Sequence, residues 1–144
     1  MKVGIIEDDY QLNNAIKIIL EKEGYEVVQG HSCIEGIKIL DEGVDVILLD
    51  INLPDGEGFE VCHHNDKKIP ILFLTARDEE IDMIHAYDSG CEDYIIKPFS
   101  MKVLIKKIEV VLRRNQKSEN ILIYNDLQID VNKQKLEYEM KLLI

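Results

Sequence analysis

The sequence predicts an α/β fold in which a five-stranded parallel β-sheet is covered by helices on both faces. Short apolar runs alternate with helical patterns along most of the chain, which indicates parallel strands joined by crossover helices. Runs such as Val46-Ile47-Leu48-Leu49 contain no alternating polar residues, as is typical of strands buried on both sides. The 144 residues suffice for one domain of this kind with a complete core.

Five apolar runs predict the strands, at residues 3–6, 25–28, 44–49, 69–74 and 94–96. The first helix is predicted between the first two runs, with Asp9 as its N-cap and Gly24 after its end. Its apolar residues recur at intervals of three and four and form one stripe: Leu12, Ala15, Ile16, Ile19 and Leu20.

Two further helices are indicated by the same spacing. One is predicted to begin after Ser32, with an apolar stripe formed by Ile34, Ile37 and Leu40. The last helix carries a stripe formed by Leu104, Ile108, Val111 and Leu112.

The pattern changes near the C-terminus. Residues 113–120 are polar and of mixed charge, which is typical of a linker. Beyond them, apolar and polar residues alternate on both sides of Asn125-Asp126, a pattern that predicts an antiparallel β-hairpin over residues 121–131. We therefore expect a first domain at residues 1–115, a linker at 116–120 and a short C-terminal segment at 121–144.

The chain is acidic, with 28 Asp and Glu against 17 Lys and Arg and a formal charge of −11. Such a surface should be repelled by nucleic acids and by anionic membranes. No apolar run approaches the roughly 20 residues that a membrane span requires, and acidic residues follow the N-terminus too soon for a signal peptide. These observations predict a cytoplasmic protein that binds neither membranes nor, through the residues given, DNA.

Ionisable and hydroxyl side chains follow four of the predicted strands. Glu7 and Asp8 come after the first, Asp50 after the third, Thr75 after the fourth and Lys97 after the fifth. Ligands of doubly wound sheets bind beyond the C-terminal ends of the strands. Carboxylates gathered there repel one another unless a cation lies among them, and Mg²⁺ binds carboxylates, water and phosphate oxygens.

Such a site is suited to phosphoryl transfer. An aspartate can attack phosphorus, while a metal ion and Lys97 neutralise the oxygens of the transferred group and Thr75 donates a hydrogen bond to one of them. The residues therefore predict transfer of a phosphoryl group onto Asp50, with Mg²⁺ as the cofactor.

Four motifs in order resemble those of the response-regulator receiver family, whose fold is CheY-like. They are Ile5-Ile6-Glu7-Asp8-Asp9, Leu48-Leu49-Asp50-Ile51-Asn52-Leu53-Pro54-Asp55-Gly56, Leu74-Thr75-Ala76 and Asp93-Tyr94-Ile95-Ile96-Lys97-Pro98-Phe99. The resemblance covers residues 1–115 and implies the strand order 2-1-3-4-5, as in flavodoxin. The last motif, with Arg113-Arg114 closing the final helix, is similar to the OmpR/PhoB subfamily.

By this resemblance, Asp50 is the phosphorylated residue, and Glu7 and Asp8 form an acidic pocket beside it. The Mg²⁺ ligands would be Asp8, Asp50 and the backbone carbonyl of Asn52. Asp9, the third acidic residue of the first motif, would be a helix cap and not a metal ligand.

The resemblance also implies a switch. Lys97 would contact the phosphoryl group, and its peptide bond to Pro98 would be cis. When phosphate draws the Thr75 hydroxyl inward, the ring of Tyr94 turns into the vacated space. The surface made by the fourth helix, the fifth strand and the fifth helix then changes.

Members of the subfamily receive phosphate from a sensor histidine kinase, dimerise through that surface and bind DNA with a C-terminal winged helix. Here residues 121–144 resemble only the start of such an effector domain, so the resemblance implies DNA binding only through residues outside this sequence. In the subfamily, ion pairs usually join the two subunits across this surface. At the positions of one such pair this sequence has apolar residues, whereas the charged residues of a second pair are present. The possible dimer face comprises Met83 and Val103 in place of the first pair, Asp93 and Lys107 as the second, and Tyr87.

Three other functions share parts of this pattern. A haloacid-dehalogenase-like phosphatase uses an Asp nucleophile with Mg²⁺, Thr and Lys, but needs a second aspartate as general acid where this sequence has Asn52. A flavodoxin-like cofactor binder would need a phosphate loop where Glu7, Asp8 and Asp9 would repel phosphate. The third is a receiver that serves only for protein docking.

We expect no metabolic enzyme: the chain would catalyse only its own phosphorylation and dephosphorylation. Asn52 and Arg77 lie two residues beyond Asp50 and Thr75, where side chains can obstruct or position the water that hydrolyses the phosphoaspartate.

Overall fold

A computed structural model describes residues 1–127, with side chains described for residues 1–116. The strands are β1 (Lys2–Ile6), β2 (Glu26–Gly30), β3 (Val46–Leu49), β4 (Asn52–Leu53), β5 (Gly56–Glu57), β6 (Ile71–Thr75) and β7 (Asp93–Ile96). The helices are α1 (Tyr10–Lys22), α2 (Cys33–Ile39), α3 (Phe59–His63), α4 (Glu80–Asp88) and α5 (Met101–Leu127). The main sheet is parallel with the order β2-β1-β3-β6-β7, which confirms the predicted fold class and strand order.

The sheet is buried on both faces, as its continuous apolar strands predict. All four residues of β3 are at most 1% exposed. On one face, Ile6, Leu49 and Phe73 pack in a core with residues of α2, α3 and α4. Side chains alternate between the faces of a strand, so Ile5 and Leu48 point to the opposite face. There α1 and the start of α5 contribute fully buried residues: Ile16, Leu20, Leu104 and Ile108.

The predicted N-cap Asp9 is confirmed, and the second helix begins directly after Ser32 as predicted. The Asp9 carboxylate accepts hydrogen bonds from the backbone N–H groups of Gln11 and Leu12, each at 3.1 Å, at the start of α1. The Ser32 hydroxyl accepts one from the N–H of Glu35 at 3.1 Å at the start of α2. These bonds satisfy N–H groups that have no partner within the first turn of a helix.

The predicted apolar stripe of α2 is wrong at one of its three residues. Ile34 is 60% exposed, whereas Cys33, Gly36 and Ile39 are buried. Gly36 allows α2 to lie close to β1, because a Cβ at that position would lie 2.8 Å from the side chain of Ile6. A pattern that counts large apolar residues therefore included the exposed Ile34 and missed the buried Cys33 and Gly36. Of the other two residues in the predicted stripe, Ile37 is partly buried and Leu40 is buried.

A short antiparallel hairpin, formed by β4 and β5, follows β3 and was not predicted from the sequence. Asp55 lies in its turn and accepts hydrogen bonds from the backbone N–H groups of Cys33 at 2.7 Å and Ile34 at 3.1 Å. These bonds, the one from Cys33 first, hold the pKa of Asp55 below its ordinary value. The hairpin thus caps α2 from a distant part of the chain.

The fifth helix is longer than predicted. It continues to Leu127, through the predicted linker at 116–120 and through residues 121–127, predicted as the start of the hairpin. Residues 113–127 contain neither Pro nor Gly, so no residue there terminates a helix. The predicted first hairpin strand is therefore wrong, because residues 121–127 are helical. The division into a first domain, a linker and a C-terminal segment stays a prediction, and residues 128–144 lie outside the described residues.

Two units divide the chain, Met1–Ile108 and Glu109–Ile144, so that the second begins within α5. In the first unit the predicted stripe residues Leu104 and Ile108 are buried, and in the second Val111 and Leu112 are buried as well. None of the described helices combines the length and the apolar character needed to cross a membrane.

Candidate functional site

Charged side chains from three strand ends meet at one edge of the sheet. Glu7 follows β1, Asp50 follows β3 and Lys97 follows β7, and the parallel pairing brings these ends together. The Lys97 ammonium donates hydrogen bonds to Glu7 Oε1 at 2.6 Å and to Asp50 Oδ2 at 2.9 Å. Glu7 is 3% exposed and Asp50 5% exposed, so both carboxylates are largely removed from water. Buried charges of this kind require partners, which Lys97 supplies.

The acidic pocket consists of Glu7, Asp8 and Asp50. One carboxylate oxygen from each lies within 4.8 Å of the others, and Asp8 is exposed to solvent. Three carboxylates at this separation match the ligands of a hard divalent cation. The pocket can therefore hold a metal ion, with Asp8 as the ligand open to solvent.

The charges of the pocket are unbalanced. Burial raises the pKa of Glu7 to about 7, against the lowering effect of hydrogen bonds from Lys97 and Asp9, and the Asp50 carboxylate raises it further. Burial acts to lower the pKa of Lys97, but its hydrogen bonds with Glu7 and Asp50 outweigh this effect and the pKa is raised. A cation in the pocket would relieve the remaining repulsion among the carboxylates.

Two residues that were not singled out from the sequence support the acidic pocket. The side chain of Asn13 is fully buried and donates hydrogen bonds to the backbone carbonyls of Glu7 at 3.0 Å and Gly30 at 3.2 Å. The side-chain oxygen of Asn13 accepts a hydrogen bond from the side-chain amide of Gln29 at 2.9 Å. Asn13 therefore fixes the chain where β1 ends, and its spacing of three residues before buried Ile16 could have revealed it.

Gly58 is the second such residue. A Cβ there would lie 2.3 Å from the backbone oxygen of Asp50, closer than atoms can approach. Its N–H donates a hydrogen bond to the carbonyl of Ile51 at 2.8 Å, which closes the loop after Asp50. Only glycine allows this close approach, and the sequence Asp55-Gly56-Glu57-Gly58 was the available signal.

Asn52 lies beside the pocket. Its backbone N–H donates to Asp50 Oδ1 at 3.1 Å, and its side-chain oxygen accepts from Arg77 Nε at 2.9 Å. The side chain is thus directed to Arg77, consistent with an expected metal contact through the backbone carbonyl and not through the amide. That contact stays a prediction.

The two residues of the predicted switch both contact Arg77. Thr75 is fully buried, and its hydroxyl oxygen accepts a hydrogen bond from the backbone N–H of Arg77 at 3.3 Å. The half-buried Tyr94 donates its hydroxyl hydrogen to the backbone carbonyl of Arg77 at 2.9 Å, and burial raises the pKa of Tyr94 to about 12. The peptide bond between Lys97 and Pro98 is cis, as predicted.

The guanidinium of Arg77 joins three elements. It bonds Asn52 as described, Glu57 Oε2 at 2.6 Å and Asp82 Oδ1 at 3.2 Å. The hydrogen bond with Glu57 is the main cause of the raised pKa of Arg77. The position of Arg77 was noted from the sequence but its partners were not, because Asn52 and Glu57 lie 25 and 20 residues before it in the chain.

The predicted dimer face is partly exposed within this chain. Tyr87 is 51% and Val103 49% exposed, while Met83, Asp93 and Lys107 are partly buried. Asp93 and Lys107 bond to each other within the chain at 2.7 Å. Dimerisation through this face stays a prediction.

Comparisons with known proteins identify the family. Residues 3–109 match the model of the response regulator receiver domain. The chain is 32% identical over 141 residues to the transcriptional regulatory protein ResD of Bacillus subtilis, with 90% of this chain and 59% of that protein covered. It is 37% identical over 130 residues to the transcriptional regulatory protein AfsQ1 of Streptomyces coelicolor, with 88% and 58% covered. The chain thus spans less than two thirds of the length of these relatives.

Superposition on solved structures identifies the same family. The crystal structure of a two-component response regulator from Clostridium difficile superposes with a TM-score of 0.75 at 33% sequence identity, covering 79% of this chain and 97% of that one. The family match includes every strand end that contributes to the pocket. The chain therefore belongs to the response regulator receiver domain family.

Proposed function

We propose that Asp50 accepts a phosphoryl group from a sensor histidine kinase in a Mg²⁺-dependent reaction. The observation that carries this proposal is the position of the Asp50 carboxylate, 2.9 Å from Lys97 Nζ and within 4.8 Å of ligand oxygens of Glu7 and Asp8. A carboxylate oxygen, a positive charge and an acidic pocket that could hold a metal ion lie together at one edge of the sheet. Phosphoryl transfer depends mainly on such positioning and charge stabilisation.

Each described residue has a definite task in this reaction. An Asp50 oxygen forms the new bond to phosphorus while the bond to the imidazole nitrogen of the donor histidine breaks, and that nitrogen keeps the electron pair. The N–H of Asn52, 3.1 Å from Oδ1, holds the carboxylate in orientation. Lys97 would face the incoming oxygens with its positive charge, and the Thr75 hydroxyl would donate a hydrogen bond to one of them.

The metal ion would be held by Asp8, Asp50 and the backbone carbonyl of Asn52, with Glu7 beside them. When bound, Mg²⁺ supplies positive charge that balances the phosphoryl oxygens. Lys97 would remain charged and available, since its hydrogen bonds with carboxylates raise its pKa.

Phosphorylation would change the surface formed by α4, β7 and α5 through Thr75 and Tyr94, and so favour dimerisation. ResD and AfsQ1 are named transcriptional regulatory proteins. Control of transcription and DNA binding would belong to a longer protein with an effector domain. A histidine kinase draws on ATP, so this function places the receiver in the cytoplasm.

Intact mass spectrometry after incubation with acetyl phosphate tests the proposal. We expect the wild-type protein to gain the mass of one phosphoryl group with Mg²⁺ and not with EDTA. The Asp50→Asn variant should gain none, whereas Asp66→Asn, a change of an exposed aspartate, should behave as wild type. Absence of a Mg²⁺-dependent gain in the wild type contradicts the proposal.

The same preparation separates the receiver from a phosphatase. A receiver should turn over small phosphomonoesters negligibly, because Asn52 cannot act as the general acid that a haloacid-dehalogenase-like enzyme requires. Rapid hydrolysis of such an ester by the wild type, lost in Asp50→Asn, would favour the phosphatase instead.

A further inference from the structure

The hairpin formed by β4 and β5 carries the backbone carbonyl that the proposed function assigns to the metal ion. That carbonyl belongs to Asn52, the first residue of β4. Asn52 pairs with Glu57 of β5, so the two short strands form one unit. The position of the hairpin therefore decides where the carbonyl of Asn52 lies relative to Asp50.

The N-terminus of α2 holds this hairpin in place. In the turn of the hairpin, Asp55 Oδ1 accepts a hydrogen bond from the N–H of Cys33 at 2.7 Å, and Oδ2 accepts one from the N–H of Ile34 at 3.1 Å. The Cys33 thiol also donates to the backbone carbonyl of Glu57 at 3.3 Å. Three hydrogen bonds thus join the hairpin to the first two residues of α2, which lie 21 to 24 residues earlier in the chain.

The start of α2 is a fixed point because it packs in the core. Cys33 is 5% exposed, and a Cβ at Gly36 would lie 2.8 Å from the side chain of Ile6. The Asp55 carboxylate also satisfies N–H groups that have no partner within the first turn of α2. These bonds, the one from Cys33 first, hold the pKa of Asp55 below its ordinary value, so the carboxylate is ionised at neutral pH and its hydrogen bonds are charge-assisted.

Other contacts hold the hairpin on its remaining sides. The guanidinium of Arg77 donates to the side-chain oxygen of Asn52 at 2.9 Å and to Glu57 Oε2 at 2.6 Å. The side chain of Leu53 is 9% exposed and belongs to the core. Since Arg77 and Leu53 would stay in place, loss of the Asp55 carboxylate should shift the hairpin without unfolding it.

We infer that Asp55 is a positioning residue for the metal site. By binding the N-terminus of α2, it holds the carbonyl of Asn52 where that oxygen can ligate Mg²⁺. This role rests on the proposed function, because it requires the metal site beside Asp50. Replacement of a residue that orients a metal ligand typically weakens metal binding by about 10- to 100-fold. Asp55 is exposed and the other contacts of the hairpin remain, so we expect a smaller loss of about three- to tenfold.

The test is a titration of the metal-free protein with Mg²⁺, measured by isothermal titration calorimetry and by NMR of the backbone amides. Asp55→Ala should bind Mg²⁺ about three- to tenfold more weakly than wild type, and its Asn52 amide signal should be shifted before metal is added. Asp55→Asn keeps one acceptor oxygen, is the milder change to the fold, and should fall between the two. Phosphorylation of Asp55→Ala by acetyl phosphate should be slow at low Mg²⁺ and recover when Mg²⁺ is saturating.

Two controls separate positioning from stability and from charge. Ser32→Ala removes the other side-chain cap of α2, a hydrogen bond of 3.1 Å from the N–H of Glu35, and removes no bond to the hairpin. It should lower the free energy of unfolding and leave the Mg²⁺ affinity unchanged. A pure charge effect of Asp55 would be screened by salt, whereas the affinity ratio of wild type to Asp55→Ala should persist from about 0.1 M to about 1 M KCl.

The possible failures have distinct meanings. Equal Mg²⁺ affinity in wild type and Asp55→Ala, an equal loss in Ser32→Ala, or a ratio that vanishes at high salt overturns the role of Asp55. The proposed function then stands, provided that wild type is phosphorylated with Mg²⁺. If wild type binds Mg²⁺ no better than Asp50→Asn does, the proposed metal site is wrong and the role of Asp55 falls with it.

Discussion

The buried carboxylate of Glu7 should make the stability of the metal-free protein fall as the pH rises toward neutrality. Its pKa is raised from 4.5 to about 7 in the folded chain, chiefly by burial. The folded state therefore holds a proton on Glu7 more tightly than the unfolded chain does. The stability that this proton contributes is complete below pH 4.5 and is lost as the pH rises through about 7.

Replacement by glutamine isolates this contribution. Glu7→Gln keeps the shape of the side chain and an oxygen that can accept from Lys97, but it cannot ionise. The shift of Glu7 corresponds to about 3 kcal/mol. We expect the free energy of unfolding of wild type, relative to Glu7→Gln, to decrease by about this amount between pH 4.5 and a pH above 7.

Urea denaturation in EDTA across this pH range measures the difference, with circular dichroism as the signal. Glu21→Gln makes the same chemical change at an exposed position of α1 and should show a much smaller pH-dependent difference. Addition of Mg²⁺ should restore much of the free energy of unfolding that wild type loses as the pH rises, because a cation favours the ionised carboxylate. Parallel stability curves for wild type and Glu7→Gln, or a difference of the opposite sign, would refute this account of the pocket.

Two further substitutions test the local structure around the pocket. Gly58→Ala should lower the free energy of unfolding, measured by urea denaturation, by about 3 kcal/mol or more. The reason is that the added Cβ would lie 2.3 Å from the backbone oxygen of Asp50. A change within experimental error would show that the loop adapts to the Cβ. Asp9→Ala should lower the free energy of unfolding by about 1 kcal/mol, because the hydrogen bonds from the N–H groups of Gln11 and Leu12 are lost. The variant should still be phosphorylated by acetyl phosphate. Failure to phosphorylate would show that Asp9 does more than cap the helix.

Most of the main sheet could be predicted because local pattern and tertiary environment agree in it. The continuous apolar run of β3 has one stable location, the centre of a sheet covered on both faces. Asp9 and Ser32 were identifiable because a cap bonds only to residues two or three positions ahead. Glu7, Asp50 and Lys97 could be placed together because parallel strands bring their C-terminal ends to one edge.

What could not be predicted depends on contacts between distant parts of the chain. The buried face of α2 is decided by Gly36, whose role is to allow close packing and not to supply apolar surface. The partners of Arg77 lie on a hairpin and a helix whose relative positions no local pattern specifies. The length of α5 was missed because polar composition was interpreted as a linker, although residues 113–127 contain no helix-terminating residue.

The most direct test of the central claim is chemical identification of the phosphorylated residue. Protein treated with acetyl phosphate and Mg²⁺ is reduced with borohydride, which converts an aspartyl phosphate to homoserine, and the modified peptide is sequenced by mass spectrometry. The pocket geometry predicts modification at Asp50 and none at Asp8, because the buried Asp50 carboxylate accepts a hydrogen bond from Lys97, whereas Asp8 is exposed to solvent. Modification at Asp8, or at an exposed aspartate with Asp50 unmodified, would contradict the assignment of Asp50 as the acceptor.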